Sequence, residues 1–422
     1  MNTRIPAFVV VLAVMCTTVW AQTPAPPITI DQAVQEALNN NFDILAERQN
    51  VPISRAREIQ AALRPNPTVG FNWDYLDWLR RGLTVENSAG PSEFAPQFTY
   101  IWETAGKRGK RLAVAQLATS VSEARLLDSV RQLTLVVRLA AADYLLAKEN
   151  LNLARQNLKV FDGIVDVNGA KVRSGDLAGV ELIRARVAQQ QVQTAVQQAE
   201  LRLQTARNNL QQLLGRSAKS GGFDLEGTLS SEPVTSVLDE LKALALQQRP
   251  DLVALRKDIT RAQADTRLQL ATARPNVTTG LVYHNQYGYS NGRTFGVNVS
   301  TELPIYQRNQ GEIARSTLEA HQLELRTRAL ESGITTEVEN TWQQYMSAKN
   351  LLERIRGTLL AEASSVRDIT EFSYRRGEAS LLEFLDAQRA YNDAMQSYND
   401  ARADYMKSLY LIDAVTGKSV TP

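Results

Sequence analysis

The chain has 422 residues, with 47 Lys and Arg against 45 Asp and Glu, so its net charge is +2 and no dedicated nucleic-acid surface is indicated. One Cys and two His are too few for thiol clusters, zinc ribbons or most His-based catalysis. The length allows two or three domains, and function must rest on architecture rather than on reactive side chains.

Arg4 precedes an apolar run from Ala7 to Val14, and the segment closes on Val19-Trp20-Ala21. Residues 1–21 therefore read as a secretory signal cleaved before Gln22. The run is shorter than the ~20 residues of a spanning helix. Cys16 lies inside it, so the mature chain is expected to carry neither Cys nor lipid anchor. Residues 22–30, with Pro24, Pro26 and Pro27, form an extended leader. No later segment offers a long uncharged apolar run, so the exported product is soluble or inserts by a route other than helices.

Asp31 is expected to cap a helix running to about Leu63, where Arg64-Pro65-Asn66-Pro67 stops it. Strands follow at about 67–75 and 96–102: Val69, Phe71, Trp73 and Tyr75 alternate with polar residues or Gly, and Phe98, Tyr100 and Trp102 repeat the pattern. From Arg111 to Phe161 there is neither Pro nor Gly, which predicts a helix of ~50 residues, about 75 Å long. It reverses at Arg173-Ser174-Gly175-Asp176 and returns as a helix of ~40 residues to Gly215. Residues 216–236, rich in Gly and Ser, read as a linker. Beyond it, strands are expected at about 277–287, with Leu281, Tyr283 and Tyr287, and at 294–303, with Phe295, Val297, Val299 and Leu303. A helical pattern then runs from Ile305 to Tyr374, interrupted by Gly311, Gly333 and Gly357, and turns at Arg376-Gly377-Glu378.

The halves are copies of one unit. Ala37, Asp43 and Arg48 match Ala245, Asp251 and Arg256 at a spacing of 208, and RPNPTVGF from Arg64 matches RPNVTTGL from Arg274 at 210. Tyr144, Ala147 and Lys148 match Tyr345, Ala348 and Lys349 at 201, whereas Arg173, Gly175, Glu181 and Ala185 match Arg375, Gly377, Glu383 and Ala387 at 202. The units span 31–215 and 237–417, each a helix, a β-hairpin and a long helical hairpin, so the fold class is mainly α with a small β part. A soluble hairpin would pack its aromatic face on a helix. Strands near ten residues with an apolar face and aromatic ends, here Trp73, Tyr75, Trp102 and Tyr283, also fit transmembrane β-strands. Four strands cannot close a barrel, and an open edge does not survive in lipid, so the membrane reading requires several chains.

FSYRRGEASLLEFLDAQRAYNDA from Phe372, ELPIYQRNQGEIA from Glu302 and ETAGKRGKR from Glu103 carry a family likeness. With the duplicated blocks, the chain resembles the TolC-type outer membrane efflux proteins over residues 28–418, most of all the heavy-metal-efflux, CzcC-like branch. The resemblance implies a homotrimer in the outer membrane of a Gram-negative bacterium. Three chains would share a twelve-stranded barrel in outer membrane lipid, above a coiled-coil tunnel that crosses the periplasm to an adaptor and an inner-membrane pump. It implies a passive conduit, with no enzyme activity, cofactor, metal site or nucleic-acid partner. The exit duct of a type I secretion system shares the fold, whereas a soluble periplasmic coiled-coil protein would leave the strands and the duplication unexplained.

Glu383 and Asp386 lie three apart, on one face of the helix after the Gly377 turn. Such a pair is ordinarily a solvated face; the resemblance makes it a gate, two acidic rings at the tunnel tip that favour cations. The other copy has Glu181 and Arg184 there, so one hairpin per chain would carry the doubled acid. Tyr374 and Arg375 are candidates for closed-state contacts, and Gly175 and Gly377 for the tip turns. Gly106-Lys107-Arg108-Gly109-Lys110-Arg111 lacks P-loop spacing and reads as a charged patch at the barrel-helix junction, near inner headgroups or lining the lumen. His284 and His321 stand apart from other ligands and read as structural or exposed.

Overall fold

A computed structural model describes residues 27–74, 93–216, 223–230, 233, 235–286 and 292–417. Thr29, rather than Asp31, opens the first helix: its hydroxyl accepts from the Gln32 amide at 3.2 Å, and the Gln32 side chain accepts from the Thr29 N–H at 2.9 Å. The run expected as a single helix is three, α1 (Ile30–Asn40), α2 (Phe42–Arg48) and α3 (Asn50–Ala62). Asn41 makes the first break, because its side-chain oxygen takes the amides of Asp43 and Ile44 and so starts a new helix. Pro52 makes the second, having no N–H for the Arg48 carbonyl.

Strands β1 (Thr68–Asp74) and β2 (Glu93–Trp102) lead into α4 (Lys107–Ser174), whose 68 residues reach about 100 Å. It continues past the Gly-free stretch through Gly163 and Gly169 to the turn expected at Arg173–Asp176. Each glycine costs about 1 kcal/mol against Ala, and burial of Phe161, Ile164 and Asn168 along the same stretch offsets that. The chain returns as α5 (Gly179–Leu213). The second half runs α6 (Leu238–Gln248), α7 (Pro250–Thr272), β3 (Val277–Gln286), β4 (Arg293–Thr301) and α8 (Gln310–Arg354). A five-residue π turn, Ile355–Leu359, then joins α8 to α9 (Leu360–Arg376), and α10 (Leu381–Thr416) returns.

The strands form one antiparallel sheet in chain order, β1-β2-β3-β4. Val69 opposes Phe98, Phe98 opposes Leu281, and Leu281 opposes Val297, so one row of apolar side chains crosses the whole sheet. The outer edges of β1 and β4 pair with nothing among the described residues. At the other end of the rod, four helices lie side by side in the order α5, α4, α10, α9.

There is no single central core. One cluster joins α1, α4, α5, the linker and the end of α10 through Ala37, Val137, Tyr144, Leu210, Phe223 and Met406. A second joins α6, α8 and α10 through Leu241, Ile334, Tyr345 and Leu409. A third, near the helical turns, holds Ile164, Ala185, Tyr374, Leu381 and Phe384. The linker lies across the first: Phe223 stacks on Tyr144 at 6.0 Å, and Asp224 takes the Tyr144 hydroxyl at 2.9 Å and the Lys148 ammonium at 2.8 Å.

Candidate channel wall and gate

Strand alternation sorts the sheet into two unlike faces. On one lie Val69, Phe71 and Trp73, Phe94, Phe98, Tyr100 and Trp102, Leu281 and Tyr283, then Phe295, Val297 and Val299. Most of these side chains are exposed, Phe295 at 87% and Phe71 at 69%, with Phe94, Tyr100 and Tyr283 half-buried. Rings along this face pack on one another: Trp73 against Phe94 at 5.2 Å, Tyr100 against Trp102 at 4.9 Å, Tyr283 against Phe295 at 5.0 Å. The Trp102 indole N–H donates to Thr279 at 2.9 Å. Tyr75, the remaining candidate of the aromatic set, lies outside the described residues, as do Trp78 and Tyr287.

The opposite face carries Asn72, Gln97, Thr99, Asn298 and Ser300. Gly280 leaves room there for the Asn298 side chain, which a Cβ would strike. His284 sits on this polar face, paired with Glu93, to which Gln286 also donates at 3.3 Å. His321 is exposed on α8, 3.6 Å from Glu324. Among the described residues, no helix is long and apolar enough to cross a membrane, and no group of three or more His, Cys, Asp or Glu is placed to hold a metal.

The basic run after β2 lies at the junction of sheet and helices, and the structure adds what the cations bind there. All four cations donate to backbone carbonyls where the sheet meets the helices. Lys107, largely buried, reaches the Arg274 carbonyl at 2.5 Å and the Asn276 side chain at 2.6 Å. Arg108 takes the Ala62 carbonyl at 2.6 Å, Arg111 those of Ala61 and Leu63 at 3.0 Å each, and Lys110 that of Ala105 at 2.9 Å. Helices α3 and α7 end here with carbonyls that have no partner in their own helix, and cations satisfy them best. The run is a helix-capping device; Arg111 is held further by Glu103 at 2.7 Å.

At the far end, Gly175 and Gly377 close α4 and α9 with φ of 83° and 84°. Both turns make the same bonds: Asp176 N–H to the Lys171 carbonyl at 2.8 Å, Glu378 N–H to the Ser373 carbonyl at 2.9 Å. Beyond Gly377, Ser380 caps α10. Its N–H donates to the Glu383 carboxylate at 2.7 Å, and the Glu383 amide donates back to the Ser380 hydroxyl at 3.3 Å. Glu383 is thus both a solvent-facing acid and half of a capping box. The Ser380 N–H and hydroxyl hold its carboxyl below the ordinary 4.5. Asp386 is exposed one turn on, without hydrogen-bond or ion-pair partner among the described residues. In the first copy Glu181 is paired with Arg184 at 2.8 Å, so the exposed double acid belongs to α10.

Tyr374 and Arg375 separate in role. Tyr374 is buried, stacks on Phe384 at 5.5 Å and donates its hydroxyl to Asn168 of α4 at 2.6 Å, so it bridges the two hairpins. Burial pushes its phenol above the ordinary value. Arg375 points away and pairs with Glu371 of its own helix at 2.6 Å. Asn168, fully buried, is the residue that the sequence reading missed; a single Asn in a long helical pattern carries no mark of a partner 206 positions away.

The family model for outer membrane efflux proteins matches residues 33–216 and 241–418. The chain belongs to the outer membrane efflux protein family. It is 22% identical over 371 residues to the cobalt-zinc-cadmium resistance protein CzcC of Cupriavidus metallidurans, covering 88% of this chain and 85% of the relative. It is 26% identical over 403 residues to the pyoverdine export outer membrane protein OpmQ of Pseudomonas putida, covering 88% and 82%. Among solved structures, the outer membrane channel CmeC of Campylobacter jejuni superposes with a TM-score of 0.76 at 14% identity, covering 99% and 94%. A protein of this family is an outer membrane transport component rather than an enzyme.

Proposed function

We propose that three copies of the chain close a twelve-stranded barrel in the outer membrane and, through the helical rods beneath it, form a tunnel conducting cargo outward from a periplasmic adaptor and an inner-membrane pump. The observation that carries this is the sheet: apolar and uncovered on one side, polar on the other, with free edges on β1 and β4. Lipid suits the first face and a water-filled lumen the second, and an edge is tolerable in lipid only if another chain pairs with it. Residues 1–21 would direct export, 31–215 and 237–417 would be the two repeats, and 216–236 their linker. The likeness to CzcC, with an acidic tip, favours divalent metal cations as cargo.

Glu383 and Asp386, once per chain, would give two stacked acidic rings at the periplasmic tip, with Tyr374 holding the hairpin that bears them against α4. Replacing both by Ala is expected to lower the cation-to-anion permeability ratio in planar bilayers several-fold; an unchanged ratio removes the gate assignment. Because the Ser380 hydrogen bonds hold the Glu383 carboxyl below 4.5, its charge and its share of the selectivity should persist as pH falls from 8 to 4.5 and be lost only below that.

A further inference from the structure

The first repeat holds a strap that has no counterpart among the described residues of the second. The strap is the linker where it crosses α4: Phe223 stacks on Tyr144, Asp224 takes the Tyr144 hydroxyl and the Lys148 ammonium, and Leu225 is fully buried. It also pairs as a strand does, just ahead of α1. The Ile28 N–H donates to the Asp224 carbonyl at 3.0 Å, and the Glu226 N–H to the Ile28 carbonyl at 2.9 Å. A carboxylate between apolar residues, in extended backbone, is what this groove accepts.

The receiving residues occur in the second copy as well. Tyr345 and Lys349 of α8 match Tyr144 and Lys148 of α4 at a spacing of 201. Tyr405 of α10 packs on Tyr345 at 5.7 Å, much as Phe223 packs on Tyr144, so the ring is supplied from within. The carboxylate is not. The buried Tyr345 hydroxyl has no hydrogen-bond partner, and Lys349 makes neither hydrogen bond nor ion pair among the described residues.

Beside these groups lies a cleft of about 540 Å³. Lys349, Arg356 and Arg402 line it against one acid, Glu353, and Leu352 and Tyr398 add apolar wall. Arg402 is committed elsewhere, donating to the Leu229 carbonyl at 3.0 Å and lying over the Tyr398 ring. Arg356, like Lys349, has no partner among the described residues. Leu229 and Pro233 of the linker form another edge, so the linker runs from the groove it fills to the rim of this cleft.

We propose that the cleft is a docking site for an acidic peptide segment of another protein, an Asp or Glu followed by an aliphatic residue. The carboxylate pairs with Lys349 in the field of Arg356, and the aliphatic side chain packs on Leu352 and Tyr398. Two unpaired cations beside a single acid favour an anion, and a charge-assisted bond is the strong kind available there. The first repeat already holds Asp224-Leu225 with the same Tyr and Lys. The site involves neither the sheet nor the helical turns, so its failure leaves the conduit reading standing, and failure of that reading leaves the site.

The probe is the peptide Phe-Asp-Leu-Glu-Gly-Thr-Leu, residues 223–229, labelled and titrated against the solubilised full chain by fluorescence anisotropy. Saturable binding is expected. It should be about tenfold weaker for the Asp224→Asn peptide and for Lys349→Met protein, and undiminished for Lys148→Met protein. Loss with Lys148→Met instead of Lys349→Met would mean that the peptide merely displaces the linker, and overturns the site. Equal binding of the Asp224→Asn peptide overturns it too. Acetate competing as well as unlabelled peptide would reduce the cleft to a pocket for any carboxylate and overturn the peptide reading. A second variant covers weak binding in trans: residues 418–422 are replaced by a copy of residues 216–229, which brings the segment to about millimolar local concentration. The thermal midpoint should rise by about 3 °C, and Lys349→Met should abolish the rise. No binding in trans together with no Lys349-dependent rise overturns the docking site.

Discussion

At the scale of single residues, buried charge is placed where separate elements must be tied together. Arg249, 4% exposed between α6 and α7, donates to both oxygens of Asp251, at 3.1 and 2.7 Å, and to Glu337 of α8. Burial of Asp251 opposes its ionisation, but the Arg249 hydrogen bonds and charge and the Leu252 amide outweigh burial and hold the carboxyl below its ordinary 3.8. Replacing Arg249 by Leu leaves two carboxylates facing each other without their cation and should cost about 3 kcal/mol, read as a lower thermal midpoint at fixed protein concentration. A depressed folded pKa means a contribution complete above the unfolded value and lost as pH falls through the folded one. The stability gap between wild type and Asp251→Asn should therefore be full at neutral pH and close below about 3.8. A gap that persists into acid would mean the Asp251 charge contributes nothing.

At the scale of elements, the two glycine turns of the first copy, at the two ends of its long helical hairpin, are not equivalent in what they tolerate. Gly175 has φ of 83° but open space around it, so Gly175→Ala pays the left-handed backbone alone, about 1 kcal/mol. Gly215, at φ 69°, has the Asn40 carbonyl oxygen 2.4 Å from where a Cβ would sit, because α5 ends against the end of α1. Gly215→Ala must move backbone and should cost about 3 kcal/mol; equal thermal midpoints for the two variants would refute the difference. The same contrast separates what periodicity made legible from what it did not. Alternation at Val69, Phe71 and Trp73 and the Gly-free run before Phe161 depend on near neighbours in the chain, so strand and helix are readable there. The breaks at Asn41 and Pro52 hinge on one side-chain oxygen and one missing N–H inside a strong helical pattern, which masks them. The acids at Glu383 and Asp386 were visible from their spacing, although Ser380 and Glu383 also form a capping box. Lys107, Arg108 and Arg111 were visible as charges only; their partners are carbonyls of helix ends brought together by the sheet.

At the scale of the whole molecule, the sheet is what the proposed barrel of several copies rests on. Among the described residues its apolar face is largely exposed and the outer edges of β1 and β4 are unpaired, features that lipid on one side and further copies at the edges would accommodate. Adjacent positions in the middle of β3 separate the two surfaces. Leu281 lies in the apolar row with Phe98 and Val297, whereas Val282 points to the polar side, opposite Gln97 and Gly296. A Lys at the bilayer midplane costs about 2–4 kcal/mol per lipid-facing position, so Leu281→Lys in a trimer would cost about 6–12 kcal/mol, enough to prevent insertion. Val282→Lys places the same charge one residue along, on the polar face that would line the lumen of the proposed barrel, and should insert normally while altering conductance. The measurement is the fraction of each variant recovered in the outer membrane as a heat-resistant oligomer. Loss of Leu281→Lys with retention of Val282→Lys is the expected result. The reverse pattern would turn the sheet inside out, and recovery of both in full would mean that neither face meets lipid.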